Sequence, residues 1–217
     1  MYNCVGDIMR LRNVKCAKEI ISKSNYIVSD YLNYKGCFKN LFGNNNPIHI
    51  EIGMGKGDFI IGMALNNPGI NFIGIEKFDS VLVRAVQKLE NYDIPNLKLI
   101  RMDALDIDNV FSNEVECIYL NFSDPWTKER HSRRRLTSDL FLSKYDSLFK
   151  NECKIVMKTD NRKLFEYSII SFTNYGYFID ELSLDLYNDD YTGNVQTEYE
   201  KKFVSNGNVI YRISVHK

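Results

Sequence analysis

The sequence predicts an α/β fold: a mostly parallel sheet with an antiparallel edge. Three observations predict it. Five short apolar runs, at Ile48–Ile52, 71–75, 97–102, 116–122 and 153–157, alternate with segments of helical periodicity. The first run leads directly into a glycine-rich turn, Glu51-Ile52-Gly53-Met54-Gly55-Lys56-Gly57-Asp58. Two further strand-like runs, 177–186 and 209–215, follow the fifth helical segment and read as a hairpin-like pair.

Composition narrows the function classes. At 217 residues with 44% hydrophobic content, the chain is long enough to bury a sizeable core. Lysine plus arginine and aspartate plus glutamate each total 28, so the net charge is zero. That excludes a general polyelectrolyte binder and confines any nucleic-acid surface to a local patch. The 5 cysteines are odd in number and form no C-x-x-C pair, so neither a zinc site nor a disulfide framework is predicted. Free thiols, no apolar run long enough for a membrane span and no signal-like start predict a cytoplasmic protein without a membrane partner. Arg10, Arg12, Lys15, Lys18 and Lys23, opposed only by Glu19, make 1–40 a basic arm or helical extension. The arm either reaches phosphates or is a solvated helix. Residues 41–217 read as one domain.

Each element follows from local chemistry. Asn44-Asn45-Asn46-Pro47 is a turn that opens the first strand. In the glycine turn no Cβ blocks a ligand's approach. Phe59, Ile60, Met63 and Ala64 then form a helical apolar face. A pyrophosphate fingerprint would carry glycine or alanine where Asp58 stands, which argues against a nicotinamide dehydrogenase. Glu51, just before the turn, would repel an anion and attract a cation such as the sulfonium and ammonium of S-adenosylmethionine. The second strand ends in Glu76, 23 residues after Gly53, suited either to ribose hydroxyls or to a helix N-terminus. Val81, Leu82, Ala85, Val86 and Leu89 predict a core-facing helix. The third strand ends in Asp103, either an acceptor for an adenine amino group or a turn aspartate.

The fourth strand delivers the most informative stretch, Leu120 to Leu136. It ends in Ser123-Asp124-Pro125-Trp126, where Pro125 stiffens the turn, and continues into Lys128, Arg130, His131, Arg133, Arg134 and Arg135. A carboxylate at a strand's carboxyl end beside a cationic stretch points to an active site for a base within a nucleic acid. Trp126 either stacks on a base or packs the turn. A purely RNA-binding module would have no need of acids at the ends of the first three strands. Thr137 or Ser138 can cap the next helix, whose predicted stripe is Leu140, Phe141, Tyr145, Leu148 and Phe149. The fifth strand leads to Lys158-Thr159-Asp160, with Asp160 free to cap the helix carrying Leu164, Phe165, Ile169 and Ile170, which Gly176 ends. Residues 193–203 read as a loop or short helix.

Together these pieces resemble the bacterial tRNA (guanine-N7)-methyltransferases. The resemblance rests on Met9 to Arg12, Glu51 to Gly57, Gly74-Ile75-Glu76, Asp103-Ala104, Asn121 to Trp126, Lys128 to Leu136, Lys158-Thr159-Asp160 and Gln196 to Phe203, in that order. The Asp-Pro-Trp and Thr-Glu-Tyr-Glu stretches are its most specific parts. It implies a Rossmann-like class I methyltransferase fold, a seven-stranded sheet with helices on both faces. It also implies S-adenosylmethionine as methyl donor, leaving S-adenosylhomocysteine, and a tRNA partner with guanine 46 of the variable loop as acceptor. The protein would be a monomer or homodimer. Carried over, Glu51, Glu76, Asp103 and Asp124 contact the donor; the open turn adds Gly53 and Gly55 to the donor site, and the position of Asp124 at the strand end makes it the expected catalytic carboxylate. Lys128, Asp160, Thr197, Glu198, Tyr199 and Glu200 contact the RNA, as does the segment Arg130, His131, Ser132, Arg133, Arg134 and Arg135. Ser132 departs from a more basic family pattern, and residues before Met9 have no clear counterpart.

Overall fold

The computed structural model describes residues 17–217. The predicted basic side chains Arg10, Arg12 and Lys15 lie outside the described residues. Seven strands form one sheet: β1 (Ile48–Ile52), β2 (Asn71–Glu76), β3 (Leu97–Arg101), β4 (Val115–Asn121), β5 (Phe149–Thr159), β6 (Phe178–Ser183) and β7 (Tyr211–His216). Their order is β3-β2-β1-β4-β5-β7-β6. The first five run parallel, and β7 inserts antiparallel between β5 and β6.

Helices cover both faces. Alternate residues of a strand point to opposite sides, and β4 shows the consequence. Ile118 and Leu120 join one core with β1 and β5, while Cys117 and Tyr119 join the other. The first core is closed by α5 (Ile107–Val110), α6 (Asp139–Tyr145) and α7 (Arg162–Asn174). The second is closed by α1 (Ala17–Lys23), α3 (Asp58–Asn66) and α4 (Asp79–Leu89). Two further α-helices belong to the described residues: α2 (Lys39–Phe42), which precedes β1, and α8 (Glu198–Ser205), which lies between β6 and β7. No helix among the described residues is long and apolar enough to cross a membrane.

Several boundaries move from expectation for physical reasons. The stripe predicted through Phe149 breaks: α6 stops at Tyr145, and Phe149 begins β5. The first half of β5 is polar because it is exposed, so an apolar pattern could not reveal it. The last two strands do pair, but the chain between them runs out through α8 before returning. The segment before residue 41 supplies core: Val28 and Phe38 are buried within the first cluster. It also finishes the sheet's β3 margin, where Leu99 exchanges backbone hydrogen bonds with Tyr26 and Val28. The opposite margin, β6, is exposed along most of its length.

Candidate active site

The strand order reverses between β1 and β4, and in open α/β sheets the crevice at the strands' carboxyl ends there takes ligands. The predicted acids Glu51, Glu76, Asp103, Asp124 and Asp160 all fall at or just beyond such ends. Gly53, Gly55 and Gly57 all have left-handed φ, at 77°, 60° and 81°. The turn is pinned to β2 by the N–H groups of Gly53 and Met54, which donate to the Ile75 carbonyl at 2.9 and 3.0 Å. A Cβ on Gly57 would press on Ala85 at 3.0 Å, so that glycine serves helix packing. A Cβ on Gly53 or Gly55 would meet nothing within 4 Å; these two face open space that a ligand can enter.

The acids differ in environment. Glu51 is 1% exposed. Its Oε1 accepts from Asn121 Nδ2 at 2.8 Å, and its buried Oε2 has no hydrogen-bond partner among the described residues. Burial pushes its pKa up to about 7, against the pull of Asn121 and of the Lys158 charge. An orphaned carboxylate oxygen beneath an open glycine turn fits a ligand that brings a positive group. Glu76 is also buried and raised by desolvation, although it accepts from the N–H groups of Phe78, Gly55 and Lys77. It ties the glycine turn to the start of α4. Asp103 is partly buried, yet its Lys77 ion pair at 2.5 Å and the Leu105 N–H hold its pKa low. Asp124 is exposed, and its charge helps to raise Glu76.

The turn that carries Asp124 is strained. Phe122 and Trp126 bracket it at φ 51° and 40°. Non-glycine residues in that region cost about 1–3 kcal/mol each and persist where surrounding contacts enforce them. The contacts are explicit. The Phe122 N–H donates to the Lys158 carbonyl at 2.8 Å. Arg135 Nε and Nη2 donate to the carbonyls of Pro125 and Trp126, each at 3.1 Å. Arg134 lies over the Trp126 ring at 4.9 Å, and His131 meets the ring edge-on. Residues Glu129–Arg134 form a 3-10 helix that keeps Lys128, Arg130, Arg133 and Arg134 exposed, with His131 and Ser132 half-buried.

The carboxyl-terminal stretch closes over this edge. Thr197 caps α8 in a reciprocal capping box with Glu200. Glu200 is fully buried and ion-paired with Lys158 at 2.6 Å; it also accepts from Tyr187 and Asn194. Glu198 is exposed and pairs with Lys56 of the glycine turn at 2.7 Å. A small cavity of about 50 Å³ lies where the turn, Phe122 and Thr197 to Tyr199 meet. A larger one of about 610 Å³ adjoins it, sharing Phe59 and Asn121.

Comparison with known proteins follows the same outline. The family model Methyltransf_4, described as "Putative methyltransferase", matches residues 45–213. A tRNA (guanine-N(7)-)-methyltransferase of Geobacillus sp. (strain WCH70) is 52% identical over 209 residues, covering 95% of each chain. One from Bacillus subtilis (strain 168) is 50% identical over 209 residues, covering 95% of this chain and 98% of its own. The chain belongs to the tRNA (guanine-N7)-methyltransferase family. Its fold is also that of a solved structure titled an antibiotic related methyltransferase. That likeness has TM-score 0.63 and 20% identity, and covers 83% of this chain and 93% of the other. The sheet is thus the Rossmann-like class I methyltransferase sheet.

In this member of the tRNA (guanine-N7)-methyltransferase family, several side chains are placed differently from what the sequence suggests. Arg135, expected among the RNA-contacting side chains, is 7% exposed and spent on the turn. Thr197 and Glu200, expected to touch RNA, are buried and hold α8 together. Asp160 does not cap α7, because Asn161 does so through the Leu164 N–H; Asp160 stays half-exposed near Asn208. Ser138 takes the N-cap position of α6, but its hydroxyl donates to the Arg133 carbonyl. Sequence reasoning missed Asn121 and Lys158 as site-building side chains. Their signal was a polar residue at the carboxyl end of the buried apolar run in each of two strands.

Proposed function

We propose that this protein transfers the methyl group of S-adenosylmethionine to N7 of guanine 46 in the variable loop of tRNA. The observation that carries the reading is the pairing of two features at one sheet edge. One is a set of acids around an open glycine turn, with a buried carboxylate oxygen that has no hydrogen-bond partner among the described residues. The other is an exposed cationic 3-10 helix immediately beyond Asp124. Relatives that share about half of their residues with nearly the whole chain carry the name tRNA (guanine-N(7)-)-methyltransferase, which supports the acceptor.

When bound, S-adenosylmethionine would supply a methyl group on a positively charged sulfur. Glu51 would meet its positive charge, Gly53 and Gly55 would let it approach the backbone, and Glu76 and Asp103 would accept hydrogen bonds from its hydroxyl and amino groups. Guanine N7 is an acceptor that carries no proton, so the protein needs no general base to prepare it. The remaining work is alignment and electrostatics. Asp124, at the rigid turn between the donor side and the cationic helix, favours the positive charge that arrives on the purine. Lys128, Arg130, Arg133 and Arg134 hold phosphates, and local opening of the tRNA exposes the base.

Incubation with labelled donor and unmodified tRNA, followed by mapping of the modified nucleotide, tests the reading. Label at N7 of guanine 46 is the expected result. Label at another base, or none under conditions in which the protein binds the donor, would overturn it.

A further inference from the structure

We propose that Arg135 is a positioning residue for methyl transfer: it locks the Asp124 turn from beneath and does not touch RNA. The inference rests on the proposed function, and it reassigns one member of a run of like side chains. Asp124 is exposed, so its direction is set by the backbone that carries it. That backbone enters through Phe122 and leaves through Trp126, both left-handed, and so needs outside support. On the entering side the support is the Phe122 N–H bonded to the Lys158 carbonyl of β5. On the leaving side it is the Arg135 guanidinium, which donates from Nε to the Pro125 carbonyl and from Nη2 to the Trp126 carbonyl, each at 3.1 Å.

The other half of the clamp is Tyr167 on α7. The Arg135 guanidinium lies 4.2 Å from the Tyr167 ring centroid, and the residue is 7% exposed. The turn is therefore referenced to two fixed elements, β5 and α7. A planar fork can serve two carbonyls at once, whereas an ammonium on a flexible stem acts as a point charge. Arg134 has the complementary placement: it is exposed and lies over the Trp126 ring. Neighbours in sequence thus do different work, Arg135 toward the turn and Arg134 toward solvent.

The test compares Arg135→Lys and Arg135→Ala with Arg134→Ala. Trp126 is the only tryptophan, so acrylamide quenching of its fluorescence reports the turn without requiring activity. Arg135→Lys keeps the charge and most of the buried stem, which guards against loss of the fold. For that variant the single-turnover rate should fall roughly ten- to a hundredfold, as expected for a misplaced reacting geometry. Trp126 quenching should rise, while tRNA affinity and its salt slope stay at wild type. Arg135→Ala should exaggerate the loss, whereas Arg134→Ala, which also uncovers the Trp126 ring, should raise quenching and is told apart by its lower salt slope. The proposal is overturned if Arg135→Lys transfers at the wild-type rate with unchanged quenching, or if its salt slope drops by about one, the mark of a lost phosphate contact. If wild-type protein leaves tRNA unlabelled, the functional reading fails, and the quenching comparison still decides whether the clamp exists.

Discussion

Replacing Glu51 by glutamine should stabilise the protein in mild alkali and weaken its hold on the methyl donor. Burial raises the Glu51 pKa from 4.5 to about 7. The folded state thus binds this proton more tightly than the unfolded chain does. Below about 4.5 both states are protonated and nothing is lost. As pH rises toward 7 the unfolded chain releases the proton first, and the fold loses stability; above 7 the loss is complete. At about 1.4 kcal/mol per unit, the difference between the two values corresponds to roughly 3 kcal/mol. Glutamine cannot ionise, so Glu51→Gln should exceed wild type by up to about 3 kcal/mol at pH 8.5 and by under about 1 kcal/mol at pH 5. Urea denaturation followed by circular dichroism at both pH values measures this. In parallel, calorimetry should show donor affinity reduced roughly ten- to a hundredfold, the worth of a charge-assisted contact. The product lacks the sulfonium charge and should lose less. Identical pH profiles for variant and wild type would refute the argument that this carboxylate is held at a desolvation cost.

Three further outcomes are expected. Asp124→Ala should greatly slow single-turnover methyl transfer while tRNA binding stays within a few-fold; wild-type turnover would remove Asp124 from the chemistry. Arg134→Ala should weaken tRNA binding and reduce the slope of affinity against salt by about one, and an unchanged slope would mean that this side chain meets no phosphate. Lys158→Met should leave the buried Glu200 charge without its cation and destabilise the fold by roughly 3–5 kcal/mol in thermal or urea melts. A loss under about 1 kcal/mol would show that Tyr187, Asn194 and the Thr197 N–H satisfy Glu200 by themselves.

Much of the frame was legible from the chain. Ile48–Ile52 begins and ends where its apolar residues do, because β1 is buried along nearly all of its length. The glycine turn and the acids at strand ends were also legible, since each is a local signal placed by the alternation of strand and helix. The parts that were not legible depend on distant partners. Phe149 reads as part of the preceding helical stripe and the strand as starting at Cys153, because the outer half of β5 is exposed and polar. In the run after Lys128 nothing local distinguishes the arginine that turns inward, because the Tyr167 ring that receives it comes from α7. The Thr197 to Glu200 spacing is that of a capping box, yet the family resemblance drew attention to RNA instead. Lys158 ends the buried apolar half of β5 without visible cause until α8 brings Glu200 against it.

The two margins of the sheet have a consequence for handling the protein. At β3, Tyr26 and Val28 already occupy the pairing groups of Leu99, so a second molecule finds that position taken. At β6 no further strand pairs among the described residues, and Phe178, Leu182 and Leu184 stand exposed beside Asp180, Glu181 and Asp185. Apolar side chains on an unpaired strand invite growth by addition of like strands. Glu181 is ion-paired with Arg212 and Asp180 is bonded to His216, so these acids leave little free charge to oppose it. A substitution such as Phe178→Lys would blunt this margin without touching the ligand edge.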